Sequence, residues 1–267
     1  RDRDNIAMFK ACTHKAFVSI GCSADDLARA EALRDAGADL FCIDVAHAHA
    51  RYVGKTLQKV RAMLGKEACI MAGNVATYAG ADYLASLSAD IIKVGIGGGA
   101  VCTTRIKTGF GVPNLTAIRK SARVDRSIVA DGGIRSPGDI VKALAFGADF
   151  VMIGSMLAGT RPTPGPVLTR KNEDGGDVLV KSYRGMASSE VQDDYHGGMA
   201  EWKTAEGVAV DVPYCETEEA IIADIIGGLR SGLTYGGAAT IRELQRKLDY
   251  IRITPAGRHE SLPHRTL

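Results

Sequence analysis

The phrase Ala36-Gly37-Ala38-Asp39 leads into the apolar run Leu40–Ile43, and Phe146-Gly147-Ala148-Asp149 leads in the same way into Phe150–Ile153. In both places a glycine suited to the end of a helix stands just before a short run suited to a buried strand. A helix that ends directly before a strand is half of a βα unit. The repeated phrase therefore predicts an α/β fold built from successive βα units.

Six apolar runs of this kind occur before residue 157, and each is followed by small or acidic residues. Amphipathic helical patterns such as Ala24–Ala36 and Pro137–Phe146 fit between them. Continuous apolar strands separated by helices are typical of a parallel sheet covered on both faces. The predicted strands are Phe17–Ile20, Leu40–Ile43, Cys69–Met71, Ile91–Val94, Ser127–Ala130 and Phe150–Ile153.

Two architectures are compatible with six βα units. A doubly wound sheet needs no further strand. A (β/α)8 TIM barrel needs eight, so the first two βα units would be absent from this chain. Because such barrels commonly use about 250 residues as one unit, we expect residues 1–267 to form a single catalytic domain.

The pattern changes after Leu157. Residues 160–218 are rich in glycine, proline and charge and show no sustained period. A stretch of that length predicts a functional element, here a mobile flap at about 187–215 with a small hairpin. Residues 219–247 predict two closing helices separated at Gly227-Gly228.

The composition favours a globular protein of the cell interior. Hydrophobic residues make up 46% of the chain, charged residues 24%, and the net charge is only +2. Neither a long basic run nor an apolar stretch of about 18 residues occurs, so we expect no nucleic-acid partner and no membrane partner. The six cysteines form no CxxC pair, which predicts reduced thiols and a cytoplasmic location.

The segment from Lys93 to Arg105 is the richest in chemistry. It places four glycines within five positions directly after a predicted strand, and such a loop lets main-chain groups converge on an ion or a substrate. Cys102 lies next to two threonines and Arg105, and a positive neighbour favours the thiolate form, so Cys102 is a candidate nucleophile. A glycine-rich turn around a buried cysteine is the alternative that this pattern leaves open.

Three further motifs follow strands or lie in loops. Asp131, followed by Gly132-Gly133, can accept hydrogen bonds from a ribose diol, although an Asx turn has the same signature. Gly154-Ser155 ends the last strand, where barrels often bind phosphate, although Ser155 could equally cap a helix. Lys181–Ser189 adds a phenol, Tyr183, and main-chain groups. Together the motifs predict a nucleoside monophosphate site.

In this order the motifs resemble the IMP dehydrogenase/GMP reductase family over essentially the whole chain. The resemblance implies a (β/α)8 barrel, a homotetramer, and GMP or IMP as the small-molecule substrate. It places the start of the chain just before the third barrel strand. The matching segments are Ala72-Gly73-Asn74-Val75, Lys93-Val94-Gly95-Ile96-Gly97, Val101-Cys102-Thr103-Thr104-Arg105, Ala130-Asp131-Gly132-Gly133, Gly154-Ser155 and Tyr183-Arg184-Gly185-Met186.

The resemblance also implies roles for individual residues. The implied catalytic residues are Cys102, Thr104 and Glu206, and the implied potassium ligands are Gly97, Gly99, Cys102 and Arg105. The implied nucleotide contacts are Asp131, Gly132, Gly133, Gly154, Ser155, Tyr183, Gly185, Met186, Lys203 and Gly207; the implied cofactor contacts are Asp44, Asn74, Met186, Trp202, Ser231 and Thr234. Two positions depart from the family: Gly98 replaces a usual proline, and Ala100 replaces a serine that contacts phosphate.

The family chemistry begins with attack of a cysteine thiolate on C2 of the purine, which forms a thioimidate; hydride passes between C2 and a nicotinamide. A dehydrogenase oxidises IMP and hydrolyses the adduct to XMP, with an Arg-Tyr pair in its flap activating water. A reductase uses NADPH to convert GMP into IMP and ammonia.

Two segments point to different members of the family. The flap contains no Arg-Tyr pair between residues 187 and 215, and Gly197–Gly207 resembles a reductase, whereas Ile253–His264 resembles a dehydrogenase tail. Because the flap touches the chemistry, we weigh it more heavily and predict a GMP reductase, an NADPH-dependent oxidoreductase that requires potassium. IMP dehydrogenase with NAD is the alternative. A catalytically silent nucleotide-binding barrel is a further one.

Overall fold

The computed structural model describes residues 2–196, 198, 201 and 204–263. Its centre is a parallel sheet of six strands that pair strictly in chain order, β1-β2-β3-β4-β5-β6. All six lie where the sequence predicts a strand. They are β1 (Val18–Ile20), β2 (Leu40–Asp44), β3 (Cys69–Val75), β4 (Ile91–Val94), β5 (Ser127–Asp131) and β6 (Phe150–Met152).

The sequential strand order decides between the two architectures. In a doubly wound sheet the order reverses at a switch point, whereas here each crossover places the next strand on the same side. Because right-handed crossovers that never reverse direction build a barrel wall, the six strands form an arc of a (β/α)8 barrel. The predicted barrel fold class is confirmed, and the doubly wound alternative is excluded.

Helices cover the outside of this arc. The predicted helices Ala24–Ala36 and Pro137–Phe146 are both present within one residue of these bounds, and the glycines that follow them, Gly37 and Gly147, have φ of +100° and +112°. The helices are α1 (Asp2–Ala11), α2 (Ala24–Asp35), α3 (Arg51–Leu64), α4 (Tyr78–Ser86), α5 (Thr104–Thr108), α6 (Asn114–Ser121), α7 (Pro137–Ala145), α8 (Ser189–His196), α9 (Glu219–Tyr235), α10 (Ile241–Arg246) and α11 (Pro255–Glu260). Within the described ranges, none of these helices is long and apolar enough to span a bilayer.

Successive side chains along each strand point to opposite faces of the sheet. Phe41, Ile43, Ile70 and Ile92 pack into the main core, while Cys42, Met71 and Val129 form a small cluster on the opposite face. Since side chains two residues apart share a face, Asp44, Lys93 and Asp131 lie on the same face as that small cluster. The end of this inner face is where the charged residues of the sheet meet.

Residues 160–218 contain more regular structure than the sequence predicts. The predicted hairpin consists of β7 (Leu168–Lys171) and β8 (Asp177–Arg184). A third strand, β9 (Ala209–Pro213), pairs antiparallel with β8. Five residues with no clear period are too few to signal a strand, and β9 forms through its pairing with the distant β8.

The predicted break at Gly227-Gly228 is wrong. Helix α9 runs through both glycines and ends before Gly236-Gly237. A Cβ at Gly228 would lie 2.3 Å from Cβ of Pro137, and a Cβ at Gly232 would lie 2.6 Å from Cγ2 of Val141. These glycines allow α9 to pack closely against α7, so their role is close approach and not helix termination.

Alanine substitution of the two neighbouring glycines is expected to have opposite effects. At Gly227 a Cβ meets nothing within 4 Å, so Gly227→Ala should raise the free energy of unfolding by about 0.5–1 kcal/mol through helix propensity. Gly228→Ala should lower it by about 1–2 kcal/mol, because the new methyl group collides with Pro137. Urea unfolding of both variants measures the difference. A Gly228→Ala protein at least as stable as Gly227→Ala would contradict this packing.

Candidate active site

Three parallel strands end in a connected group of charged side chains. Nζ of Lys93 on β4 lies 2.8 Å from Oδ1 of Asp44 on β2 and 2.9 Å from Oδ2 of Asp131 on β5. Asn74 on β3 donates to Oδ2 of Asp131 at 2.9 Å and to the carbonyl of Gly95 at 2.6 Å. Asp44, Asn74 and Asp131 are therefore brought together, as expected for residues at one edge of a parallel sheet.

Lys93 is the residue that joins this group, and its side chain is only 3% exposed. Burial lowers the pKa of Lys93, but the carboxylates of Asp131 and Asp44 outweigh burial, so the pKa is raised overall. Lys93 therefore stays protonated and pairs with both carboxylates at the sheet edge. A role for Lys93 is not among the sequence predictions, although a lone charge in the apolar strand β4 was a signal for one.

The glycines of the cysteine loop are required by close packing. A Cβ at Gly95 would lie 1.8 Å from the carbonyl oxygen of Asp131, and one at Gly97 would lie 2.5 Å from Cγ of Arg105. Arg105 donates to the carbonyls of Ile96 and Val112, so its side chain links the start of the cysteine loop to the segment before α6.

The departure at Gly98 has a structural explanation. A Cβ there would lie 2.6 Å from Nδ2 of Asn114. Asn114 donates to the carbonyls of Asp131 and Gly132 and so links the cysteine loop to the predicted ribose turn. Asn114 was not singled out from the sequence, because nothing local marks its contact with a loop 16 residues earlier.

The three residues assigned to catalysis form one chain of hydrogen bonds. The Cys102 thiol donates to Oγ1 of Thr104 at 3.2 Å, and Oγ1 of Thr104 donates to Oε2 of Glu206 at 2.7 Å. The main chain supports the same contact, because the amide of Thr103 donates to the carbonyl of Glu206 at 2.8 Å. Glu206 thus reaches the cysteine loop from a segment 102 residues away.

Glycines also shape the contact between the cysteine loop and the segment after β8. Cys102 forms an isolated antiparallel bridge with Gly207, and Gly207 packs on Gly185, where a Cβ would lie 3.2 Å from Cα of Gly207. Met186 follows Gly185 and is 79% exposed. The predicted nucleotide contacts Gly185, Met186 and Gly207 therefore lie beside Cys102.

Two of the predicted phosphate contacts also come together. The hydroxyl of Tyr183 lies 3.1 Å from the position that a Cβ would take on Gly154. Burial raises the pKa of the Tyr183 phenol, and the carboxylate of Asp131 raises it further, so the phenol stays protonated as a donor. Ser155 is next to Gly154 and partly buried, while Gly132 and Gly133 turn the chain after Asp131 with φ of +87° and +75°.

Two of the predicted cofactor contacts, Ser231 and Thr234, are not brought into this group. Gly228 and Gly232 of α9 meet Pro137 and Val141 of α7 in the same order, so α9 runs parallel to α7 and away from the carboxyl edge of the sheet. Ser231 and Thr234 are exposed on this outer helix, and Thr234 donates to the carbonyl of Arg230. Trp202 and Lys203 lie outside the described residues.

A cavity of about 240 Å³ opens beside the strand ends, lined by His47, His49, Val75, Ala76, Thr77, Ile96, Phe110, Gly111 and Val112. Oδ1 of the adjacent Asn74 is buried and finds no hydrogen-bond partner among the described residues. A buried acceptor without a partner beside an open cavity suits a polar ligand. His47 and His49 were not predicted as lining residues, because alternate histidines in a loop are compatible with many structures.

The expected cation ligands are main-chain carbonyls. In the part of the chain that is described, no cluster of three or more His, Cys, Asp or Glu side chains could hold a metal. The carbonyl of Gly99 accepts from the amide of Cys102 at 3.2 Å and that of Arg105 from the amide of Gly109 at 3.1 Å. Neutral carbonyl oxygens, as metal ligands, suit a monovalent cation such as potassium better than a transition metal.

Comparison with known proteins gives one consistent family. Residues 10–264 match the profile of the IMP dehydrogenase / GMP reductase domain. The chain is 43% identical to inosine-5'-monophosphate dehydrogenase of Aquifex aeolicus over 92% of its length and 39% identical to that of Nitrosopumilus maritimus over 93%. It spans about half the length of these curated relatives, 51% and 54%.

Solved structures agree with the fold. Inosine 5' monophosphate dehydrogenase from Legionella pneumophila superposes with a TM-score of 0.84 at 68% identity, over 96% of this chain and 78% of that one. A cysteine-to-alanine variant of GMP reductase from Trypanosoma brucei, in complex with guanosine 5'-monophosphate, superposes with a TM-score of 0.86 at 38% identity, over 93% and 52%.

These comparisons correct the predicted activity. The preference for GMP reductase over IMP dehydrogenase is wrong, because the curated relatives and the structure at 68% identity are IMP dehydrogenases, whereas the GMP reductase match is at 38%. The prediction of a reductase depended on the absence of an Arg-Tyr pair from the flap. The structure places the carboxylate of Glu206 against Thr104 without such a pair. On the evidence of the motifs, the barrel arc and the match over residues 10–264, the chain belongs to the IMP dehydrogenase / GMP reductase domain family of oxidoreductases.

Proposed function

We propose that this protein is an IMP dehydrogenase, which oxidises IMP to XMP with NAD. The observation that carries the proposal is the hydrogen-bonded chain from Cys102 through Thr104 to Glu206. It combines a nucleophile with a carboxylate base, and oxidation followed by hydrolysis needs both. The dehydrogenase relatives support the direction of the reaction.

The first half of the reaction uses Cys102. Its thiol releases its proton to solvent as sulfur bonds to C2 of IMP, which leaves Glu206 free to accept a proton in the second half. Bound NAD would supply the hydride acceptor for C2, and a thioimidate between Cys102 and the purine would remain. The glycine loop admits the substrate closely, and the bridge between Cys102 and Gly207 brings the Glu206 segment over the reacting atoms.

The second half is hydrolysis of this adduct. Water adds to C2, and Glu206 accepts its proton through Oγ1 of Thr104, which already donates to the carboxylate at 2.7 Å. The C2–sulfur bond then breaks, the thiolate leaves, and XMP is released. In this proposal Thr104 and Glu206 do the work of the Arg-Tyr pair that the flap lacks.

We propose that the remaining site residues bind the nucleotide, the cofactor and potassium. Asp131 holds the ribose; Gly132, Gly133, Gly154, Ser155, Tyr183, Gly185, Met186 and Gly207 contact the nucleotide. Asp44 and Asn74 face the cofactor in the cavity next to Asn74, and carbonyls of Gly97, Gly99 and Cys102, with that of Arg105, hold potassium. The flap of residues 187–215 and the homotetramer stay predictions.

The decisive assay is product analysis. IMP with NAD should yield XMP and NADH, and the rate should fall when lithium replaces potassium at constant ionic strength. Binding of IMP without any NADH would leave the silent nucleotide-binding barrel as the better description. Consumption of GMP with NADPH, and no XMP from IMP, would contradict the proposal.

A further inference from the structure

Lys181 on β8 is a buried charge that the proposed chemistry does not use. The residue is 3% exposed. Its Nζ donates to the carbonyls of Thr160 at 3.0 Å, Arg161 at 3.1 Å and Thr163 at 2.5 Å, and to Oγ1 of Thr163 at 3.2 Å. All four acceptors are uncharged oxygens of one turn. The ammonium group therefore holds these four oxygens close together, much as a bound cation would.

This arrangement is specific in what it holds. Burying an ammonium group without a carboxylate is costly unless its protons are well bonded. Three carbonyls of residues 160–163 converge on the ammonium group of Lys181. The carbonyl of Thr160 also accepts from the amide and hydroxyl of Thr163, so Lys181 is the group that adds the carbonyls of Arg161 and Thr163 to the same point. Without the lysine these two carbonyls would lose this donor, and the turn would rearrange toward water.

The turn held by Lys181 continues directly from the proposed phosphate turn. The amide of Leu157 donates to the carbonyl of Gly154 at 3.0 Å, and the amide of Thr160 donates to the carbonyl of Leu157 at 3.0 Å. Residues 154–163 therefore form a run of turns linked by hydrogen bonds. These hydrogen bonds connect the turn held by Lys181 with Gly154-Ser155.

The same strand contacts both ends of this run. Lys181 and Tyr183 are two residues apart on β8 and so point to the same face. Tyr183 meets Gly154 at the near end, while Lys181 holds residues 160–163 at the far end. The outer sheet is also joined to this run by the bridge between Thr160 and Cys215.

We propose that Lys181 is a positioning residue for the phosphate subsite. It fixes the 154–163 run against β8, so that the amides of the Gly154-Ser155 turn and the Tyr183 hydroxyl present one preformed site for the 5'-phosphate. This inference rests on the proposed nucleotide function and names a residue outside the reacting group. It requires that the loss of Lys181 weaken binding of the phosphate group and leave binding of the purine and ribose unchanged.

The test compares IMP with inosine, which lacks the phosphate, on the Lys181→Met variant. Methionine keeps a similar length and removes the charge and the donors. The dissociation constant of IMP, measured by titration calorimetry, should rise about tenfold or more, since several hydrogen bonds that order the subsite are lost. The constant for inosine, measured by displacement, should change less than about twofold, and in steady-state assays KM should change more than kcat.

Lys171→Met is the matched control. Lys171 lies in the same outer sheet but is exposed and pairs with Asp177, so both dissociation constants should stay at wild-type values. If Lys181→Met fails to fold, Lys181→Gln, which removes the charge but keeps a shorter donor, should weaken IMP binding by a smaller factor, again without effect on inosine.

Equal weakening of IMP and inosine, or no change in either, would overturn the positioning role and leave Lys181 as a support of the outer sheet alone. This outcome is separable from failure of the proposed function. Wild-type protein that binds IMP but forms no XMP would contradict the dehydrogenase activity, while the ratio of IMP to inosine binding would still test Lys181.

Discussion

Replacing Cys102 with alanine is expected to abolish XMP formation, with turnover falling by about 10⁴-fold or more, because no thioimidate can form without the nucleophile. Binding of IMP should remain, since the ribose and phosphate contacts come from Asp131 and from the Gly154 turn. Steady-state NADH production measures the first effect and titration calorimetry the second.

Cys42 provides the control for this substitution. It is buried, and burial, with the nearby Asp44 carboxylate, raises the pKa of its thiol to about 11. Cys42 is therefore protonated and unreactive at neutral pH, and Cys42→Ala should keep kcat if the protein still folds. Burial also raises the pKa of the Cys69 thiol, so Cys69→Ala should keep kcat in the same way. A Cys102→Ala protein with a near-normal rate would end the covalent mechanism.

Replacing Glu206 with glutamine is expected to separate the two halves of the reaction. Hydride transfer should still occur once, whereas hydrolysis of the adduct should slow by about 10²-fold or more, because glutamine cannot accept the proton of the attacking water. Thr104 would keep a hydrogen-bond partner, so the geometry of the loop should be preserved. The expected result is a first turnover of NADH followed by a very slow steady state.

Stopped-flow absorbance of NADH distinguishes the phases. Wild-type protein and the control Glu173→Gln, which changes an exposed carboxylate in the hairpin turn, should show a faster steady state than Glu206→Gln. A first turnover that is lost together with the steady state would show that Glu206 acts before hydride transfer. An unchanged steady state would remove Glu206 from the mechanism.

The charged group at the strand ends shows how far local pattern reaches. Asp44, Asn74 and Asp131 could be predicted as neighbours because parallel strands end at one edge of a sheet. The lysine that joins two of them was visible only as a lone charge in an apolar strand. Its double pairing with Asp44 and Asp131 depends on the relative position of strands β2, β4 and β5 in the sheet, which sequence spacing does not specify.

The choice between dehydrogenase and reductase shows where local pattern misled. The absence of an Arg-Tyr pair was read as the absence of a water-activating base. In the folded chain Glu206 lies on Thr104 across 102 residues of sequence, and such a contact depends on how two loops pack. The related proteins, and not the flap motif, support the dehydrogenase direction that we propose.

The sequence by itself determined the six strands, the helices between them, the glycine loop with Cys102 and the family. These features could be predicted because they depend on short-range periodicity and on contiguous motifs. Only the tertiary structure decided the sequential strand order, the third strand of the outer sheet, the continuity of α9 through Gly227-Gly228, and the placement of Ser231 and Thr234 on the outside. Each of these depends on contacts between segments far apart in the chain, and the energy of such contacts comes from packing and pairing that no local window contains.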